Sequence, residues 1–180
     1  MHLFDANFRE MLGGGSIALV GGLFGGALLV AYTNQLFLIP GLLVLLPGFL
    51  ELRGNISGSF SARLSSGLFL GMVNSHRFKS HVVIENLVAS FVLAISALLT
   101  LGLLAFAFNY LLLGVVYYEI ILIPLLAGIL ANAVELPLTL FATFYLFNHG
   151  HDPSNIMGPF VTTTGDITSI LALLLAVMLI

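Results

Sequence analysis

The chain has 180 residues, 59% of them hydrophobic and 7% charged, with a formal net charge of -3 and no cysteine. A soluble domain carries about 25% charged residues, so this chain cannot cover a water-facing surface and reads as a one-domain integral membrane protein. The acidic balance leaves no basic patch for nucleic acid, and the lack of cysteine removes disulfides, thiol chemistry and cysteine-ligated metals.

Residues 1–12 place Leu3, Phe4, Phe8, Met11 and Leu12 at near-helical spacing around Asp5, Arg9 and Glu10. That pattern predicts a short helix in the membrane interface, with a frayed polar tail as the alternative. It has no apolar core of the kind a cleaved leader needs. A first span is expected at 14–38, carrying Gly21-x-x-x-Gly25 and Gly22-x-x-x-Gly26; small residues one turn apart let helices approach closely in lipid.

The second span, 40–71, holds Pro47, Gly48, Glu51, Arg53, Gly54, Asn55, Gly58 and several serines, with Arg63 near its end. It is too polar to face lipid, and an irregular or broken stretch is expected. Such backbone is tolerated at depth only inside protein or beside water. A polar loop with His76, Arg77, Lys79 and His81 leads to a third span at 82–110. The fourth, 117–147, is long enough to tilt, and Tyr117 and Tyr118 beside Glu119 suit an interfacial belt. A second polar loop carries His149, His151 and Asp152, and the fifth span is 155–180.

Five spans put Arg9, Arg77 and Lys79 on one side, with no Lys or Arg in the two opposite loops. The positive-inside rule then predicts a cytoplasmic N-terminus and an extracellular C-terminus in the plasma membrane, with all five histidines cytoplasmic.

Asp166 carries the strongest functional signal. It lies near the middle of the fifth span, where a carboxylate costs roughly 2.5–3.5 kcal/mol on insertion scales. No basic residue on its own helix can pair with it. Polar residues share one face in three spans: Gly158, Thr162, Asp166 and Ser169; Gly128, Asn132, Glu135, Thr139 and Thr143; and Glu51, Asn55, Gly58 and Ala62. Their oxygens are hard ligands suited to magnesium, calcium or manganese. Plainer readings stand beside this one. The threonines can bond within or between helices, Glu135 can pair with Arg53 as a buried ion pair, and Glu51 can sit solvated at the interface. Enzyme chemistry finds no support: there is no His-Glu-x-x-His helix or Gly-x-x-x-x-Gly-Lys loop, and a single aspartate at depth cannot form an aspartyl-protease pair.

Two segments carry a family resemblance. Pro47-Gly48-Phe49-Leu50-Glu51-Leu52-Arg53-Gly54-Asn55, continuing to Ser61-Ala62-Arg63-Leu64-Ser65-Ser66, resembles the second-helix motif of the MgtE and solute carrier 41 cation transporters. Asp152-Pro153-Ser154-Asn155-Ile156 with Gly158-Pro159-Phe160-Val161-Thr162-Thr163-Thr164-Gly165-Asp166 resembles their last-helix motif. The resemblance covers essentially the whole chain, 1–180, as one transmembrane module. It implies a homodimer with its pore on the two-fold axis, lined by the second and fifth helices. Asp166 matches the family's central metal-binding acid, Gly54 and Asn55 its Gly-Asn, and Thr162 and Gly158 the positions four and eight before the acid. The chain departs from the MgtE pattern after Asn55, where it reads Ile56-Ser57-Gly58-Ser59, and in Arg53, which resembles the solute carrier 41 lysine. The long MgtE regulatory domains have no counterpart in these residues, so regulation is expected from the loops or another protein.

The expected function is transport of a divalent cation, Mg2+ first and Mn2+ or Ca2+ next, held largely hydrated by Asp166 of two subunits with Asn55, Thr162 and Thr163 on its water shell. Asp152, His149 and His151 are candidates for a cytoplasmic access or sensing site. The alternatives are a proton- or sodium-coupled exchanger using Asp166 and Glu135, and a membrane scaffold without transport.

Overall fold

An apolar segment in lipid must satisfy its own backbone, which favours helix over any open form. The computed structural model describes residues 6–37, 39 and 41–180, and these are helical almost throughout, with no strand among them. The helices are α1 (Ala6–Ala31), α2 (Thr33–Phe37), α3 (Leu42–Phe69), α4 (His81–Phe108), α5 (Glu119–Asn148) and α6 (Pro153–Leu179). A π-helical turn, Asn109–Leu113, extends α4. Four stretches are long and apolar enough to cross a membrane: Asn7–Ala31, His81–Leu113, Glu119–Asn148 and Pro153–Leu179. The 28-residue α3 matches them in length but is more polar.

Three expectations need correction. Residues 6–12 form no separate interfacial helix; they are the opening turns of α1, which runs on through Gly13, Gly14 and Gly15. Residues 1–5 lie outside the described residues, as do 38 and 40 in the expected 14–38 and 40–71 spans. The first span lies nearer the N-terminus than expected, because α1 begins before residue 14 and stops at Ala31, where a turn at Tyr32 leads into α2. The second span is unbroken: α3 remains helical through Pro47, Gly48 and Gly54. Its neighbours hold it there, for Leu45, Phe49, Phe60 and Leu64 are all buried.

α3 packs against α4, α5 and α6, while α1 rests on α6. Gly41 begins α3 at φ 75°, a left-handed conformation that favours glycine. A Cβ there would overlap the Asn109 side chain, so the turn before α3 seats directly on the end of α4. At the opposite end, Ser75 donates a hydrogen bond to Asn148, tying the α3–α4 loop to the end of α5.

Candidate functional site

α3 and α6 diverge along an open groove of about 410 Å³. Glu51, Gly54, Asn55 and Gly58 line it from α3, and Gly158, Thr162 and Asp166 from α6. Their spacing of three or four residues explains the shared faces, since such positions stack along a helix. Asn55 Nδ2 donates to Glu51 Oε1 at 3.2 Å, which leaves the Asn55 carbonyl oxygen free to face the groove. Thr162 donates its hydroxyl hydrogen to the Gly158 carbonyl at 3.0 Å and keeps its oxygen lone pairs as acceptors. Asp166 is half-buried. The groove therefore presents carboxylates, an amide and a hydroxyl, the oxygen set that hard cations take.

A second polar cluster lies behind the first, sealed from it. Arg53 is 1% exposed and Glu135 is 0% exposed. Arg53 donates from Nε to Ser169 Oγ at 2.8 Å, from Nη1 to Asn132 Oδ1 at 3.3 Å and from Nη2 to Thr168 Oγ1 at 3.3 Å. Asn132 is turned to receive it because its own Nδ2 donates to the Gly128 carbonyl at 2.8 Å. Arg53 Nη2 stands 4.0 Å from Glu135 Oε2, and Glu135 accepts from Thr164 at 2.7 Å and from Thr168 at 3.3 Å. A Cβ on Gly165 would lie 3.7 Å from Arg53 Nη2, so this glycine faces the ion pair while Asp166, the next residue, faces the groove.

Six of the eight expected residues thus meet around one groove: Asp166, Asn55, Thr162, Gly158, Gly54 and Glu51. Glu135 and Thr163 do not. Glu135 takes the other reading open to it, a buried pair with Arg53. Thr163 turns to α1, donating to the Ala18 carbonyl at 3.4 Å and packing over Gly21. The Gly21-x-x-x-Gly25 pair is the α6-facing one, with Gly25 beneath Asp166, whereas a Cβ on Gly22 or Gly26 would meet nothing from another helix within 4 Å among the described residues.

His149, His151 and Asp152, the candidates for an access or sensing site, do not converge. His149 bonds the Tyr145 carbonyl at 2.8 Å, His151 meets Glu10 at 2.8 Å, and Asp152 caps α6 through the Ser154 amide at 2.9 Å. Each is engaged locally, and among the described residues no group of three or more His, Cys, Asp or Glu side chains gathers to hold a metal.

Sequence reasoning passed over Thr164 and Thr168, although their spacing of four around Gly165 marks one face of α6. It also passed over Ser57, Ser61 and Ser65, which continue the Arg53 row along α3 at steps of four and are all buried. Ser61 meets Thr143 of α5 at 3.2 Å.

The helices and the groove define a helical integral membrane protein with a hard-oxygen site between two of its helices. The MgtE family, described as a divalent cation transporter, matches residues 46–176, which takes in nearly all of α3, all of α4 and α5, and most of α6. The chain belongs to that family, and divalent cation transport is its general activity. No curated protein matches the chain.

Proposed function

We propose that this protein carries hydrated Mg2+ across the plasma membrane through a pore shared by two copies and lined by α3 and α6, with Asp166 as the central carboxylate. One observation carries the reading. The polar groove, with Glu51, Asn55, Thr162 and Asp166, lies open on the flank of a single chain, where lipid is an unfavourable neighbour for charge. A second copy related by a two-fold axis closes it and supplies a second Asp166. Two carboxylates brought together repel, and a divalent cation neutralises both. The size is consistent: magnesium coordinates octahedrally and retains waters, and six waters at about 30 Å³ each occupy roughly 180 Å³, less than the groove of about 410 Å³ in one chain. Asn55, Thr162 and the Gly54 and Gly158 backbone then contact the water shell, with Glu51 at the extracellular approach.

In this reading α3 crosses the membrane as the second span, its polar face turned to the pore, and the N-terminus is cytoplasmic because Arg9, Arg77 and Lys79 fall on one side. The test is Mg2+ flux into proteoliposomes, wild type beside Asp166→Asn, with Mn2+, Ca2+ and Na+ as competitors. A unit charge about 4 Å away contributes ~4 kcal/mol at an effective dielectric of 20, so flux falls on the order of a thousandfold. Equal flux in a folded, inserted variant removes Asp166 from the path.

A further inference from the structure

We propose that Arg53 and Glu135 set the affinity of the groove for a divalent cation, as an immobile charge pair one residue behind Asp166. The inference rests on the groove being the cation site. Neither side chain lines the groove, yet Gly165 faces both and Asp166 follows it directly. Such a pair is weakly screened in a protein interior, so either charge left alone acts on the adjacent carboxylate.

The geometry separates this role from simple cross-linking. Arg–carboxylate pairs that serve as links commonly close to two parallel hydrogen bonds. Here the guanidinium stands 4.0 Å from Glu135 and makes its hydrogen bonds to neutral partners, Ser169, Asn132 and Thr168. Glu135 is held in turn by the Thr164 and Thr168 hydroxyls. Thr168 is shared between them, but Ser169 and Asn132 seat Arg53 alone and Thr164 seats Glu135 alone, so removing one charge leaves those contacts of the other intact. Paired, the two charges nearly cancel at the groove. With Arg53 removed, Glu135 adds negative charge behind Asp166 and the cation binds tighter but leaves more slowly. With Glu135 removed, Arg53 competes with the cation for Asp166.

The test measures Mg2+ flux against concentration in proteoliposomes for Arg53→Gln, Glu135→Gln and the double variant. Arg53→Gln is expected to lower the half-saturating concentration about tenfold and reduce the maximal rate, and Glu135→Gln to raise it about tenfold. The double variant, with the net charge of the wild type, is expected within about threefold of it. Shifts of the same sign in both single variants, or none, overturn the inference, because a purely structural pair lowers the amount of active protein without moving half-saturation in opposite directions. Loss of one partner strains a buried pair. If the single variants fail to insert, Arg53→Lys and the neutral double carry the test; both preserve the charge balance, and a tenfold shift in either overturns the inference. Flux that depends on Asp166 while Arg53→Gln and Glu135→Gln leave half-saturation unmoved retains the cation site and rejects only the charge pair. Absence of flux in the wild type rejects both.

Discussion

The groove and the cluster behind it use similar chemistry in opposite ways. Both hold a carboxylate at the depth of the helices, one on α6 and one on α5. Glu135 is sealed and accepts from Thr164 and Thr168 with Arg53 alongside. Asp166 is half-buried at a groove, and among the described residues no side chain hydrogen-bonds its carboxylate. A buried polar group normally finds its partners in the protein. The cluster obeys that rule, whereas the groove leaves its acid without a side-chain hydrogen bond among the described residues, as the proposed cation site requires.

The sharpest way to break this contrast is to unbalance the sealed side. Arg53→Met leaves Glu135 buried without its counter-charge and is expected to destabilise the protein by about 3–5 kcal/mol. The double variant with Glu135→Met should recover most of that, read as the melting temperature in detergent. Recovery of none of it means that the hydrogen bonds of Arg53, rather than its charge, hold the three helices.

On the open side, Asp166→Asn should show the reverse: flux falls on the order of a thousandfold while the melting temperature changes little, because the amide has nearly the size and shape of the carboxylate. A large drop in melting temperature assigns Asp166 a structural role.

Smaller effects refine the boundary between the two regions. A Cβ on Gly21 would run into the Thr163 methyl, so Gly21→Ala forces α1 from α6 and should cost about 1–3 kcal/mol of stability. Because Gly25 sits beneath Asp166, the same variant should also lower flux. Thr162→Val removes one acceptor from the groove and should reduce flux about fivefold, the equivalent of a hydrogen bond worth about 1 kcal/mol. Ser61→Ala, on the sealed side, should leave flux at the wild-type level.

Much of this division was legible from spacing. The α5 row Gly128, Asn132, Glu135, Thr139 and Thr143 is one buried face, as its steps of three and four imply. The α3 and α6 motif residues Glu51, Gly54, Asn55, Gly158, Thr162 and Asp166 line one groove. Periodicity identifies a face but says nothing of what lies across from it. Glu135 and Thr163 therefore read as companions of Asp166, although one belongs to the Arg53 cluster and the other to the α1 interface. The supposed break in α3 failed for a related reason: Pro47 and Gly54 weaken a helix in water, but a buried segment has no better-satisfied alternative. The π-helical turn at Asn109–Leu113 has no mark in the sequence, and its first residue lies against Gly41.

The packing of α1 has a consequence for how the protein is made. Its long contact is with α6 alone, and the entire chain from Thr33 to Asp152 is synthesised between them. During synthesis α1 enters the bilayer well before α6 and waits there with its Gly21–Gly25 face uncovered until α6 arrives. Closure of α1 on α6, fastened by Glu10 to His151 and Asn155, then joins the two ends of the described chain. A ribosome that stops before α6 leaves α1 with no surface to dock on and leaves Arg53 without Ser169 and Thr168, so truncated chains carry exposed charge that membrane quality control can detect.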